Sequence, residues 1–332
     1  MKKLWLWSFS LFLVATLFGC SGGGGGGSGG LTTNIFDGWL NVVPPENVAL
    51  TGISQDADYN ADPDSLPFSI TDHGVSTDTD PTPTVRIRYN ADGIIESIEV
   101  VTPHVALSWN EANGDTFDTF TDADGDPTWV IATDLAQSDI GILFNPLAMD
   151  PARAWEYQTF GAWATGGGIS GAIGAISVGM PTPDDRIPES LIRDPVTFEG
   201  YSAGIYTNSE GTAAYTTMSD VSVELDFFNQ KLIFGTNETK LFDLENGIEW
   251  LPGDGAPSLD MAGELSYDTG VNSFTGVVTA AGLSGESTGQ FYGPGPDLEE
   301  LGGVFSLSPA DPESLSHEYY SGAYGAAAVP AP

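Results

Sequence analysis

The sequence predicts an all-β protein, and three observations carry that reading. Glycine (42 residues) and proline (22) punctuate the chain from end to end, which leaves little room for a long helix. The apolar residues fall in short runs, and several alternate with polar residues at the period of a strand. Toward the C-terminus these runs recur as roughly eight short strands, the pattern of an antiparallel barrel or sandwich.

The chain begins with Lys2 and Lys3, then an apolar stretch over residues 4–18, then Gly19 and Cys20. A basic start, a short apolar core and a small residue before a cysteine make a lipoprotein signal peptide. The stretch is shorter than the roughly 20 apolar residues that a membrane-spanning helix needs. Residues 1–19 are therefore expected to be removed, leaving an acylated Cys20 as the lipidation site and mature N-terminus. Firm anchoring takes more than one acyl chain. Cys20 is the only cysteine, so no internal disulfide is open to the chain. Residues 21–30 read SGGGGGGSGG, a flexible tether reaching about 17–19 Å on average. Ser21 stands where an aspartate favours inner-membrane retention in many Gram-negative systems, so the expected location is the outer membrane, lipid-anchored, at the cell surface.

The formal charge is −37, from 9 basic and 46 acidic residues. A surface so acidic repels nucleic acid and anionic lipid. It attracts basic partners and cations, and it keeps the protein soluble. Disorder is disfavoured, because 41% of the residues are hydrophobic and 11% aromatic.

Residues 31–180 form a first β-rich domain. Residues 31–65, rich in Asn, Asp and Pro, read as irregular, and residues 71–83 read as a loop. Residues 85–89, VRIRY, alternate apolar and basic; Asn90-Ala91-Asp92-Gly93 supplies a turn, and residues 94–101 return, which makes a β-hairpin. Strands are expected at 105–109, 128–133, 140–144, 157–164 and 169–179, with a modest helix candidate near 146–155. Pro181-Thr182-Pro183-Asp184-Asp185 marks a domain boundary, with proline and charge between two strand-rich blocks.

Residues 181–332 carry the regular strands. Residues 197–207 form one. Val221, Val223, Leu225 and Phe227 share a face of the next, with Ser222, Glu224 and Asp226 opposite. Residues 231–235, 264–267, 273–279, 286–292, 304–307 and 319–324 complete the series. Gly200, Gly204, Gly276 and Gly289 fall inside strands, where a glycine allows the sharp curvature of a small barrel.

Residues 289–307 read GQFYGPGPDLEELGGVFSL. This resembles the signature of the C-terminal barrel in transferrin-binding protein B-like lipoproteins: Phe291, Tyr292, Gly293 and Pro294 close one strand, Glu300 sits in an acidic turn, and Gly302, Gly303 and Phe305 open the next. YQTFGAW (157–163), TFEGYSAGIY (197–206), VELDF (223–227) and SGAYGA (321–326) resemble further family segments. The likeness covers residues 155–328 closely and 31–154 in general character. It implies a handle domain over 31–180 followed by an eight-stranded antiparallel β-barrel over 181–332. It also implies binding of an extracellular protein or solute, in iron or haem acquisition with a TonB-dependent receptor. Residues 189–195, ESLIRDP, stand where family members often carry Ser-Gly-x-Ala. The chain has one handle-plus-barrel unit rather than two, so transferrin binding does not itself follow. The signature residues also read as fold markers, filling the barrel and shaping its turn.

The sequence points to no catalytic constellation and no organic cofactor, and the reading is of a binding protein, not an enzyme. There is no G-x-S-x-G elbow and no P-loop. His73, His104 and His317 have no metal-type spacing. Asp122, Asp124 and Asp126 offer alternating hard oxygen ligands to Ca²⁺, although the glycine falls between the second and third Asp, and Thr133 stands where a calcium loop has Glu. A polar hairpin turn explains the same residues. His317-Glu318-Tyr319-Tyr320 holds two residue types that ligate haem, but neighbours on a strand point to opposite faces. Arg86 and Arg88 either pair with local carboxylates or mark an acidic-ligand contact. The alternative to capture is a surface adhesion or structural envelope lipoprotein, stabilised by calcium.

Overall fold

The computed structural model describes residues 34–60, 69–77, 81–121, 127–148, 155–168, 170–188, 194–244, 249–250, 257–311 and 313–329, all within one compact unit, Thr33–Pro332. The protein is all-β. Among the described residues every element longer than three residues is a strand.

The handle is one strongly curved sheet. Its strands are β1 (Asn34–Ile35), β2 (Glu46–Asn60), β3 (Ser69–Ser76), β4 (Thr84–Tyr89), β5 (Ile95–Val101), β6 (Ala106–Asn110), β7 (Thr116–Thr121), β8 (Pro127–Thr133), β9 (Ile140–Phe144), β10 (Gln158–Ala164) and β11 (Ser170–Gly179). They pair in the order β6-β5-β4-β2-β11-β10-β9-β8-β7, with β1 and β3 added on β2. The β4–β5 hairpin forms where its alternation places it. The Asn90 Oδ1 accepts the backbone N–H groups of Asp92 (2.9 Å) and Ile94 (3.0 Å), and Gly93 takes φ 77°. Buried Val85, Ile87, Tyr89, Ile98 and Val100 then face Trp39, Trp109 and Trp163 in the handle core.

The sheet curls until its edge strand β6 reaches β9. Trp109, on edge strand β6, lies across Gly141 of β9 and donates its indole N–H to the carbonyl of Asp139 at 3.2 Å. A Cβ on Gly141 would sit 3.0 Å from that ring. Asp115 ties the same corner by accepting the N–H groups of Asn110 (2.7 Å) and Leu135 (3.0 Å).

Three expectations for the handle are corrected. Residues 46–60, read as irregular, form the longest strand among the described residues. β2 bonds β11 along residues 51–60, and on its other edge it bonds β4 and then β3. A strand held on both edges tolerates the polar run Ser54-Gln55-Asp56, because its stability comes from the ladder and not from apolar alternation. Residues 69–76, which overlap the expected loop 71–83, are β3, which completes that second edge. β7 had no expected counterpart; it pairs with β8. Of the helix candidate, only a single 3₁₀ turn at Pro146–Ala148 is described.

The barrel strands are β12 (Val196–Thr207), β13 (Ala214–Asp226), β14 (Lys231–Asp243), β15 (Glu249–Trp250), β16 (Ala262–Tyr267), β17 (Phe274–Ala280), β18 (Leu283–Tyr292), β19 (Glu300–Pro309) and β20 (Tyr319–Ala328). All neighbours run antiparallel. β12 pairs with both β13 and β20, and β13 pairs with β14, so eight strands close into a ring with β15 as a short addition on β14. Val221, Val223, Leu225 and Phe227 point inward as their spacing predicts, beside Phe198, Phe234, Phe291, Phe305, Tyr320 and Tyr324. Each such side chain contributes about 1.5–3 kcal/mol on burial. Gly289 is needed by its neighbour, because the Phe274 ring occupies the place of a Cβ there.

A third apolar cluster joins the two parts. Ile53, Trp129, Phe144, Phe160 and Ile173 of the handle pack on Ala203, Ile205, Val304, Tyr319 and Ala323 of the barrel. β12, β19 and β20 therefore bury both faces, one in the barrel and one against the handle. This explains why β20 reads YYSGAYGAAA with nine of its ten residues buried.

Candidate functional site

The signature residues build the handle–barrel joint. Gly293 follows β18 at φ 113° and donates its N–H to the carbonyl of Met180 in the handle at 2.9 Å. The Tyr292 hydroxyl lies 2.9 Å from Ser177 Oγ of β11, with both side chains buried. Glu300 is fully buried, and its Oε1 accepts the backbone N–H of Glu156 at 2.5 Å and of Tyr157 at 3.0 Å. Burial pushes its carboxyl up to about 8, against the pull of those N–H groups. Gln158 is equally buried and donates its amide to the carbonyls of Leu301 (2.6 Å) and Ala326 (3.3 Å). Gly302 makes room for it, since a Cβ there would overlap Gln158 Oε1. Phe291 and Phe305 face the other way, into the barrel core. Tyr292, Gly293, Glu300 and Gly302 thus hold the handle, while the two phenylalanines fill the barrel.

A polar cluster occupies the far half of β2. The chain bulges there: Ala57 pairs with Asp72 but Asp56 pairs with Gly74, which leaves His73 in the bulge. The His73 Nε2 lies 3.0 Å from Asp58 Oδ2. His104 comes from the turn between β5 and β6. That turn is fixed by Thr102, whose hydroxyl accepts the N–H of His104 (3.3 Å) and of Val105 (3.0 Å). The two imidazoles stack with centroids 4.3 Å apart and planes inclined by 18°.

Asp56 is buried near them at 1% exposure; the Thr102 side chain approaches its carboxylate, but not in the geometry of a full hydrogen bond. Burial pushes its carboxyl up from the ordinary aspartate range, against the pull of Thr102, His104 and His73. Ser54 Oγ and Trp163 Nε1 are buried and unpartnered as well. In the register, Trp163 pairs with Gly174 and Gly174 with Asp56, so all three lie in one row. The bare Gly174 lets the Trp163 ring lie over it. A separate cavity of about 20 Å³, bounded by Trp109, Trp163, Val100 and Ile176, lies in the handle interior. Its volume is close to that of one water molecule, but its lining is apolar and offers a water few partners. Among the described residues no three His, Cys, Asp or Glu side chains are grouped to hold a metal ion.

The residues singled out in the sequence are placed as follows. Cys20, Asp122, Asp124 and Asp126 lie outside the described residues; the three aspartates fall between β7 and β8, which pair antiparallel. Arg86 and Arg88 meet carboxylates across the hairpin, at 3.2 Å from Glu99 and 3.0 Å from Glu96. The 317–320 segment is split between faces. Tyr319 turns to the handle, where its hydroxyl donates to Asp72 (3.2 Å), while Tyr320 is in the barrel core and Glu318 accepts from Tyr206 (2.6 Å). His73 and His104 had no sequence signal as a pair, being 31 positions apart on separate elements.

No family model matches the chain, and no curated protein does. Among solved structures it is similar to HpuA from Kingella denitrificans in complex with human haemoglobin. The identity is 12% and the TM-score 0.39, over 89% of this chain and 90% of that one. It is also similar to a mutant of transferrin binding protein B from Haemophilus parasuis Hp5, at 12% identity and TM-score 0.38 over 85% and 76%. A third is the isotype 1 transferrin binding protein B from serogroup B Neisseria meningitidis, at 11% identity and TM-score 0.36 over 86% and 77%. Scores of this size decide neither function nor ligand.

Proposed function

We propose that this chain is an outer-membrane lipoprotein, anchored through Cys20, that binds an extracellular protein or solute. The acquisition of iron or haem, with a TonB-dependent receptor as partner, is the purpose we assign to that binding. The observation that carries the reading is the use of the family-like segment 289–307. Its residues form the buried joint of a handle on a closed barrel, which is the arrangement that the resemblance implies. Both parts are packed β scaffolds, and such scaffolds present binding residues on their loops.

The test has two arms. Protease treatment of intact cells, followed with an antibody to the barrel, should digest the protein without lysis. Surface plasmon resonance of the purified chain against immobilised haemoglobin and transferrin should show saturable binding to one of them. Protection until lysis would move the protein to the periplasm and sink the surface reading. Surface exposure with no binding to either probe would count against iron-carrier capture and favour an adhesive or structural envelope role.

A further inference from the structure

We propose that the end of the handle at which its first strand begins is a membrane-docking face, which seats Leu40, Val43 and Ile94 in a bilayer of zwitterionic lipid. The inference rests on the anchoring through Cys20 and adds what the anchored chain does beside the membrane. β1 runs parallel to β2, with Asn34 paired to Val48, two positions from the start of β2 at Glu46. Residues 21–33 separate that end from Cys20. A glycine-rich segment of this length averages about 20 Å and cannot exceed about 45 Å. An acylated Cys20 therefore keeps this end of the handle within reach of the lipid.

The same end exposes apolar side chains. Glu46 pairs with Tyr89, so the 90–93 turn between β4 and β5 lies just past it, beside residues 43–45. A Cβ on Gly93 would sit 3.7 Å from Pro44 Cγ. Val43 and Ile94 flank that contact at 73% and 56% exposure, and Leu40, on the 3₁₀ turn Trp39–Asn41, stands at 63%. Among the described residues of the handle, the other exposed large hydrophobics are Phe120 and Leu135. The backbone that presents the three is fixed. Trp39 is buried, with its indole N–H on the carbonyl of Gln158 (2.9 Å) and its backbone N–H on that of Glu156 (2.7 Å). The N–H of Val43 donates to Glu46 Oε2 at 2.9 Å. Such a group gains by entering the boundary between headgroups and acyl chains, where its apolar surface leaves water. The charge beside it selects the lipid. A groove of about 380 Å³ adjoins, bounded by Phe36, Asp37, Asn41, Glu46 and Asn47, and Asp92 stands on the turn. Residues 34–48 and 90–95 contain no lysine or arginine, and nearby Arg88 is paired with Glu96 at 3.0 Å. Carboxylates without free cations repel an anionic headgroup and favour the ammonium end of phosphatidylethanolamine.

The acylated full chain, one copy per nanodisc of phosphatidylethanolamine and phosphatidylcholine, tests this without a second copy to cover the patch. Intact mass first confirms the acyl chains on Cys20, which leaves Leu40→Cys as the one free thiol for an environment-sensitive fluorophore. Its emission should shift to the blue and be quenched by nitroxide-labelled lipid. The same label on Val277→Cys, exposed on β17 away from β12, β19 and β20, should do neither. Adding Val43→Asp and Ile94→Asp, both at exposed positions, should cut the quenching about tenfold or more. Phosphatidylglycerol in place of phosphatidylethanolamine should weaken it. A silent label at Leu40, equal quenching at Leu40 and Val277, or quenching that survives the aspartates would overturn the docking face. Quenching undiminished in phosphatidylglycerol would overturn the choice of lipid. A chain with no acyl mass would sink the anchored reading and the docking face with it, whereas a silent label on an acylated chain sinks the docking face alone.

Discussion

Glu300 of the barrel binds the handle by accepting the backbone N–H of Tyr157, 143 positions earlier in the chain, at 3.0 Å inside the buried joint. The contact is at once a fastening and a source of pH sensitivity, because a carboxyl sealed from water is poorly tolerated in its charged form.

Glu300 should make the protein less stable as pH rises. Its folded value of about 8 lies above the ordinary 4.5, so between those limits the folded state holds a proton that the unfolded state has lost. The stabilisation is complete below about pH 4.5 and declines by about 1.4 kcal/mol per pH unit until about pH 8. Glu300→Gln keeps the Oε1 acceptor and cannot ionise, so its urea midpoints at pH 5, 6.5 and 8 should fall less steeply than those of the unmodified protein. Parallel curves would show that Glu300 is not the titrating group.

Asp56→Asn should stabilise the protein at neutral and alkaline pH. The Asp56 carboxyl is raised by burial, so the native aspartate loses its contribution as pH rises through its folded value, and asparagine does not. The gain should be about 1 kcal/mol or more at pH 8 and should shrink toward pH 4. A variant less stable than the parent at both pH values would mean that the charged form is needed.

Gly302→Ala should loosen the joint. The added methyl would overlap Gln158 Oε1 and approach Ser177 Oγ to 2.6 Å. Overpacking of this kind costs about 1–3 kcal/mol, readable as a lowered melting temperature in calorimetry. An unchanged melting temperature would show that Gln158 turns aside freely.

Arg86→Ala should change little. Arg86 and Glu99 are about half exposed, and exposed pairs contribute about 0–1 kcal/mol. A loss well above that in a urea titration would assign Arg86 a packing role.

The legible parts of the fold were those with a local pattern. The hairpin 84–101 follows from VRIRY and the Asn-Ala-Asp-Gly turn, and the inward face of β13 follows from Val221, Val223 and Leu225. β2 was not legible, because its second half takes its stability from ladder bonds on both edges while its side chains are Ser54, Gln55, Asp56 and Asp58. Glu300 could be marked by its place in the signature, but not by charge in a chain with 46 acidic residues. Its backbone partners lie on another element and leave no trace in composition. The stacking of His73 on His104 depends on a bulge and a turn meeting, and residue spacing encodes neither.

The barrel's closure also orders its assembly in time. Phe198 pairs with Ala328, so the ring is sealed between strands some 130 positions apart, and β20 sits between β12 and β19 while forming part of the handle's floor. Until residue 328 has been synthesised, β12 and β19 keep open edges, and the apolar face of β10 and β11 has only part of its cover. The handle sheet is complete by residue 179, but the barrel and its joint with the handle close only once β20 is in place. β20 is the keystone, and without it two strand edges stay open to pairing with another chain.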